Sequence, residues 1–184
     1  MAAQSLDLTK TPGLVSRGAK PAKDDAEPAP PPVHGLAVTS DGYSLRFSFA
    51  PLVEPSTRSG RRFARVPEGV EVIGAVRVTG DETLIAATRQ ARAMLCKVDE
   101  INFLAGPGRG VILIKLQKEN DRVLGFIAST GDRDLMTVET TRGAEQTIST
   151  TKYAITGRGG KGRELLQRGE FTRVIPQTPE VPQD

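Results

Sequence analysis

The sequence is poor in the residues that most often carry chemistry. It has one cysteine, one histidine and no tryptophan among 184 positions. A single cysteine excludes an internal disulfide framework and a cysteine-cluster metal site. Cys96 lies in an apolar stretch, and His34 has no histidine or cysteine nearby, so we expect an inert buried thiol and no metal site. No Ser-His-Asp, paired-carboxylate or cysteine constellation is evident, so we assign no catalytic residue and no cofactor.

Long apolar runs are also missing. No segment predicts a membrane span, and the first ten residues lack the apolar centre of a signal peptide, so we expect a cytoplasmic protein. Residues 1–33 are rich in proline and alanine with little to bury, and they are predicted to be a disordered linker. Residues 178–184 are predicted to be a disordered tail. A folded domain at about residues 34–177 remains.

What the chain does contain is one pattern in three copies. Each copy has a short turn at residues 39–42, 88–91 and 140–143, which ends in Gly42, Ala91 and Gly143. A glycine next to a basic residue follows 17 or 18 residues later, at Gly60, Gly108 and Gly160. A period near 50 in strand-rich sequence predicts an array of four-stranded propeller blades.

The apolar patterning of each copy predicts four strands, and no segment has a sustained helical period. The fold class is therefore all-β, with blades at about residues 35–78, 84–128 and 135–175. Three blades are too few for a ring of the usual size, so an incomplete ring is predicted. The predicted strands are residues 35–39, 43–49, 63–66 and 70–78; 84–88, 92–98, 111–116 and 122–128; and 135–139, 144–149, 162–166 and 170–175.

Two of these strands carry further expectations. Apolar and polar side chains alternate in residues 43–49, so Arg46 is expected on an outer face together with Ser44 and Ser48. Residues 111–116 are apolar on both faces, which predicts a strand near the middle of stacked sheets.

Positive charge is concentrated in the repeats, where residues 34–177 hold 21 Lys and Arg against 16 Asp and Glu. A cationic, glycine-rich loop in each repeat predicts contacts to the phosphates of a long polyanion. The alternative is a tight turn whose basic side chains are solvated or protect a sheet edge. Few aromatic residues are available to stack on bases, which favours duplex DNA over single strands. The predicted DNA-contacting residues are Arg58, Arg61, Arg62, Arg89, Arg92, Arg109, Arg158, Lys161 and Arg163.

The turns and the third loop resemble a known family, the C-terminal β-pinwheel of the A subunits of DNA gyrase and topoisomerase IV. Each blade of that family has an apolar strand, a Thr-x-x-Gly turn, a strand, a loop rich in Gly and Arg or Lys, and two more strands. Ala91 is the one departure among the three turns. The third loop is similar to the second half of the gyrase box, Gln-Arg-Arg-Gly-Gly-Lys-Gly, whereas Thr156 and Gly157 replace the glutamine and the first arginine of that box. The box-like residues are Gly157, Arg158, Gly159, Gly160, Lys161 and Gly162.

The box of gyrase belongs to its first blade, whereas this copy is in the last, so a topoisomerase IV-like protein fits at least as well. The resemblance implies a non-catalytic module that binds, bends or wraps DNA for a type IIA topoisomerase, in supercoiling or decatenation. It implies three partners: double-stranded DNA, a breakage-reunion core and an ATPase subunit. It also implies a nucleoid-associated location. The alternative is a propeller-like module whose basic loops dock an acidic protein partner.

Overall fold

The computed structural model describes residues 29–56, 59–131 and 133–176, and these form a succession of small β-sheets. The predicted linker and tail lie almost entirely outside the described residues. Helical structure is confined there to a four-residue helix, α1 (Ala50–Val53), and a 3-10 turn at Val98–Glu100, and no helix in this part of the chain could cross a membrane. The all-β prediction is confirmed. The strands are β1 (His34–Thr39), β2 (Tyr43–Phe47), β3 (Val72–Val78), β4 (Thr83–Thr88), β5 (Arg92–Lys97), β6 (Phe103–Leu104), β7 (Val111–Ile112), β8 (Val123–Ser129), β9 (Met136–Thr140), β10 (Glu145–Ile148), β11 (Arg163–Glu164) and β12 (Phe171–Ile175).

The three sheets share one plan, in which a hairpin is followed by a strand that returns beside its first arm. β1 pairs antiparallel with β2 and β3, β4 pairs with β5 and β8, and β9 pairs with β10 and β12. In each hairpin turn, the N–H of the last residue donates to the carbonyl of the threonine three residues earlier, over 2.9–3.1 Å. That last residue has φ of 86° at Gly42, 55° at Ala91 and 77° at Gly143. The second turn therefore keeps the geometry of the other two despite the Ala91 side chain.

The sheets are completed by strands from the following repeat. β7 pairs antiparallel with β2, with Val111 opposite Ser44, and β11 pairs with β5, with Arg163 opposite Ala93. β6 adds parallel to the end of β2. The strands predicted at residues 111–116 and 162–166 are therefore two residues long, and they belong to the sheet of the preceding repeat. Within the described residues the third sheet has three strands, in the order β10-β9-β12.

The shortening of the predicted strands has a physical reason. After β7 the chain leaves the first sheet, and Ile114 forms a single bridge to Gly160 of the next loop. Ala64, within the predicted strand at residues 63–66, likewise forms one bridge to Gly108 instead of a strand. Each segment thus pairs in turn with two different neighbours, so it cannot continue as a strand of one sheet.

The prediction that Arg46 lies on an outer face is wrong. Arg46 is 7% exposed and Ser44 is fully buried, because neighbouring strands and the 3-10 turn cover that face of β2. The Arg46 guanidinium donates from Nε to the Ile101 carbonyl at 2.5 Å and from Nη2 to the Asp99 carbonyl at 3.3 Å. A buried cation satisfied by carbonyls of the second repeat therefore joins the first two sheets.

The core lies between consecutive sheets. Leu36 and Val38 of the first sheet pack with Leu84 and Cys96 of the second, and a matching cluster joins the second and third sheets. Burial, and secondarily the Glu100 carboxylate, raise the pKa of the Cys96 thiol to about 12, which confirms an inert cysteine. β3 also contacts β8, and β8 contacts β12, so these strands form the inner edge of the array and β2, β5 and β10 lie on the outer side.

The Glu82 carboxylate caps the turn between β3 and β4, which leads into the second sheet. The backbone N–H groups of Thr79 and Gly80 donate to Glu82 at 2.7 and 2.8 Å. Burial raises the pKa of Glu82, but these backbone bonds together outweigh it and hold the pKa below 4.5. Asp134 accepts the N–H of Thr130 at 2.7 Å before the third sheet, so this capping recurs in the repeat.

Gly42 and Gly143 occupy the same turn position, but only Gly42 is crowded. An added Cβ on Gly42 would lie 2.4 Å from the Ile114 carbonyl oxygen, whereas one on Gly143 would meet nothing within 4 Å. Alanine with positive φ costs about 1–2 kcal/mol at either site. We therefore expect Gly143→Ala to lose that amount of unfolding free energy in urea, and Gly42→Ala to lose a further 1–3 kcal/mol or so from the clash. Equal losses would contradict the contact with Ile114.

The lowered pKa of Glu82 predicts a pH-dependent contribution to stability. Because the folded-state pKa lies below 4.5, the contribution is complete above that pH and is lost as the pH falls through the folded pKa. We expect Glu82→Gln to lower the unfolding free energy by about 1–2 kcal/mol at neutral pH. The difference from the parent should shrink as the pH falls below 4.5 through the folded-state pKa. Melting curves across this range test it, with exposed Glu119→Gln as the control; a difference that does not change with pH would refute the assignment.

Candidate nucleic-acid interface

The glycine-rich loops of successive repeats lie side by side. The backbone N–H of Arg65 donates to the Gly108 carbonyl, and that of Lys115 donates to the Gly160 carbonyl, both at 2.8 Å. Each loop is thus hydrogen-bonded to the next, and together they form a continuous row on the outer side of the sheets. We call these segments the first loop (residues 59–66), the second loop (residues 105–116) and the third loop (residues 156–164).

Backbone conformation defines the structural register of the three loops. Gly60, Gly110 and Gly162 have φ of 69°, 81° and 69°. In the first two loops the bridge to the next loop follows four residues later, at Ala64 and Ile114. The sequence pattern instead matched Gly60 with Gly108 and Gly160, a shift of two residues, because the two later loops each offer a Gly-x-Gly choice. In the structural register, the residues before the positive-φ glycines are Ser59, Arg109 and Lys161.

Three of the predicted DNA-contacting arginines make exposed ion pairs. Arg109 Nη2 lies 2.9 Å from Asp41, and its guanidinium is 3.9 Å from the centre of the Tyr43 ring. Arg89 Nε lies 3.0 Å from Glu170, and Arg61 lies 3.8 Å from Glu54. The side-chain amide of Gln90 and then Arg89 donate hydrogen bonds that lower the pKa of Glu170. These carboxylates would have to release their arginines before a phosphate could bind.

Two other predicted residues, Arg92 and Arg158, hold the backbone of the loops. Arg92 Nη1 donates to the Gly162 carbonyl at 2.9 Å, and its Nη2 pairs with Glu164 at 3.1 Å. Arg158 Nε donates to the Glu100 carbonyl at 2.6 Å, and its Nη1 donates to the Ile112 carbonyl at 3.4 Å. Arg158 therefore connects the third loop to the second repeat, and its donors are directed at protein carbonyls.

The remaining predicted cations are available to solvent. Arg62, Lys161 and Arg163 are exposed, and none makes an ion pair within the described residues; Arg163 lies 5.6 Å from the Tyr153 ring centre. Arg58 is outside the described part of the chain. Lys115 is also exposed, beside the third loop, and was missed because it falls at the end of the predicted strand at residues 111–116. Its place five residues after Gly110, matching Arg65 after Gly60, is the signal that would have found it.

Comparison with known proteins places this array in a family. The sequence model described as the DNA gyrase C-terminal domain, beta-propeller, matches residues 36–79 and 82–130, half of the chain. The fold and the match define a β-propeller module of a topoisomerase A subunit. The chain belongs to the DNA gyrase C-terminal domain family. The match covers the first two repeats and stops before the third, which carries the box-like loop.

Individual relatives agree with this assignment. The DNA gyrase A subunit of Aminobacterium colombiense is 30% identical over 143 residues, which span 77% of this chain and 17% of that protein. The solved C-terminal domain of DNA topoisomerase IV aligns with a TM-score of 0.68 at 17% identity, over 79% of this chain and 46% of its own. A DNA gyrase A C-terminal domain aligns with a TM-score of 0.62 at 18% identity, over 79% and 49%. The E. coli ParC C-terminal domain aligns with a TM-score of 0.59 at 19% identity, over 78% and 62%. The three solved structures share the fold, and the β-pinwheel resemblance is confirmed.

The different roles of Arg158 and Lys161 predict different effects on stability. Arg158→Ala removes donors to the Glu100 and Ile112 carbonyls, so we expect it to lower the unfolding free energy by about 1 kcal/mol. Lys161→Ala removes an exposed charge and should change it by less than about 0.5 kcal/mol. Denaturant titration of the two variants measures the difference. If both variants match the parent, Arg158 does not brace the loop.

Proposed function

We propose that this chain is the non-catalytic DNA-binding and DNA-bending module of a type IIA topoisomerase A subunit. The observation that carries the proposal is the row of three hydrogen-bonded loops, each of which presents an exposed cation on the outer side of the array. A row of this kind offers charge at intervals along a surface, which suits a polymer of regularly spaced phosphates. Arg62, Lys115 and Lys161 supply these cations in the first, second and third loops.

The contacts would be made to the DNA backbone. The exposed lysines and arginines of the loops would neutralise the phosphate oxygens. Exposed ion pairs such as Arg109–Asp41 contribute about 0–1 kcal/mol, so a phosphate can displace the carboxylate at little cost. Such contacts carry charge and shape information but read no base sequence.

Bending follows from the arrangement of the sheets. β8 contacts both β3 and β12 at the inner edge, so the loops on the outer side fan out along an arc. A duplex that contacts all three loops must curve with that arc. Bending 20–30 base pairs by 40–90° costs about 1–6 kcal/mol, which several distributed cationic contacts can offset.

The wider assembly is also part of the proposal. The matched region is 17% of the length of the related gyrase protein, so cleavage and ATP hydrolysis would belong to other parts of such an enzyme. We propose that the folded domain at residues 34–177 holds a bent DNA segment for a breakage-reunion core that works with an ATPase subunit. In the cell this role would place the chain at the nucleoid in the cytoplasm.

The dependence of DNA affinity on salt tests the proposed interface. Each phosphate contact contributes about 0.9 to the slope of log affinity against log salt. We expect Lys115→Ala combined with Lys161→Ala to flatten the slope by up to about 1.8 on a short duplex. The matched control is Arg77→Ala combined with Arg173→Ala, which removes two exposed cations from β3 and β12, away from the loops.

Two results would contradict the interface. A slope that changes equally in the control pair would show that only net charge matters, not the loop row. Absence of duplex binding by the parent at low salt would favour the alternative, in which the cationic loops dock an acidic protein. Energy transfer between dyes at the ends of the duplex would report the bend, which should be smaller with the loop variant than with the control.

A further inference from the structure

Two sheets are completed by a segment of the following repeat, and both completions follow one rule. The segment starts at a positive-φ glycine. The residue after this glycine lies opposite the second residue after the hairpin turn. The third residue after the glycine donates its N–H to the carbonyl of the last turn residue. We call such a segment the donor segment, and the strand it joins the acceptor strand. The donor segments are residues 110–113 on β2 and 162–165 on β5, with bonds from Leu113 to Gly42 (2.8 Å) and from Leu165 to Ala91 (2.9 Å).

A donor segment must start at a glycine because a side chain at this position would clash with the acceptor strand. An added Cβ on Gly110 would lie 2.1 Å from the Ser44 carbonyl oxygen, and one on Gly162 would lie 2.7 Å from the Ala93 carbonyl oxygen. Ser44 and Ala93 occupy the same position, two residues after their turns. A close approach of this glycine to the acceptor strand therefore indicates that a donor segment is paired with that strand.

The third sheet has an acceptor strand without a donor segment in the described chain. β10 is the edge of that sheet, and Glu145 and Thr147 are exposed there, whereas the equivalent residues in β2 and β5 are buried. The carbonyl of Gly143, which corresponds to those of Gly42 and Ala91, accepts no hydrogen bond from the described residues. An exposed, unpaired edge of this kind is a site for adding a strand.

The first loop has the opposite feature. Residues 60–63 are the equivalent of a donor segment in the first repeat, but they join no sheet of the described chain. Gly60 has φ of 69°, like its equivalents, but an added Cβ on it would meet nothing within 4 Å. Arg61 and Arg62 are exposed, and the 3.8 Å contact of Arg61 is to a carboxylate, Glu54, that is itself 85% exposed. Gly60 therefore has the φ of a glycine that starts a donor segment, while residues 60–63 join no strand of the described chain.

We propose that a second copy of this chain supplies the missing partner, with residues 60–63 of each copy added to β10 of the other. The register of the completed sheets then places Arg61 opposite Glu145, and the N–H of Phe63 reaches the Gly143 carbonyl. Opposite charges that face each other across antiparallel strands are stabilising. The second sheet contains an opposite-charge pair at the neighbouring position of its register, where Arg92 faces Glu164 at 3.1 Å.

Apolar side chains at the two ends support the same contact. Val66 of the first loop is 41% exposed, and Leu135 and Ile155 of the third repeat are 38% and 42% exposed. Leu116, the equivalent of Val66, packs against the core between the first two sheets. By the same register Val66 would pack against the third sheet of the second copy, where burial of these side chains stabilises the pair.

The reciprocal contact also closes the array. The first-loop surface of one copy meets the β10 edge of the other, so the interface joins different surfaces, and a two-fold axis repeats it once to form a ring. The aligned part of this chain covers 46% and 49% of two solved domains of the fold, so two copies approach the size of one such domain. The ring leaves neither acceptor strand exposed.

The mass of the 184-residue protein in solution is the first test. Sedimentation velocity at micromolar concentrations should give twice the 19.7 kDa of the chain. A monomer across the accessible concentrations would overturn the proposal. A series of growing species would also overturn it, because it would mean that the contacts propagate and do not close.

Charge exchange tests the register. Arg61→Glu and Glu145→Arg should each weaken self-association at least about tenfold, because like charges then face each other in both contacts. An equimolar mixture of the two variants should recover the double mass, because both contacts of the mixed pair again join opposite charges. Glu119→Arg is the matched control: Glu119 is an exposed residue of the second repeat, so this variant should leave the mass unchanged. Failure of the mixture to recover would refute this register.

Gly60→Ala tests the backbone contact separately from charge. Its Cβ would clash with the carbonyl of the partner's Glu145, as one on Gly110 would clash with Ser44, so self-association should be lost. Gly69→Ala is the control, because Gly69 has φ of 77° and open space around it, and it should keep the double mass. Association of Gly60→Ala equal to that of the control would exclude the contact. All of these masses are measured without DNA, so they stand apart from the test of the proposed DNA interface.

Discussion

The pairing of a donor segment with the sheet of the preceding repeat is the interaction on which the structure depends. β7 on β2 and β11 on β5 cover edges that would otherwise be exposed, and they fix the distance between consecutive sheets. The same pairing explains why Gly110 and Gly162 cannot carry a side chain. Because the first and second sheets are each completed by the following repeat, neither is a finished unit alone, and the array is stabilised by the contacts between repeats.

The loops follow from that pairing. The stretches after residues 60–63 and 110–113 each hydrogen-bond to the next loop, so the three loops are held in a row by backbone contacts. The cations on this row differ in their partners. Arg92 and Arg158 direct their donors at backbone carbonyls and keep the row in place, Arg61 and Arg109 pair with carboxylates, and Lys115 and Lys161 are exposed. A substitution at a basic residue can therefore affect the fold or the interface, depending on which of these cations it removes.

Membership of the DNA gyrase C-terminal domain family rests on the first two repeats, and the third extends the same plan beyond the match. The family relation and the cationic row together support a role in holding duplex DNA. In the structural register the residue before the positive-φ glycine changes from Ser59 to Arg109 to Lys161, so charge at this position is not constant from one repeat to the next.

The sequence by itself determined the features that depend on neighbouring residues: the all-β class, the three hairpins and the inert Cys96. It predicted the resemblance and the cationic loops for the same reason, since turn chemistry and periodicity are local. The partners of β7 and β11, the burial of Arg46 and the use of Arg158 as a brace were decided by the tertiary structure alone. Each of these joins segments from different repeats, and no local pattern records which edge or carbonyl a distant segment will meet.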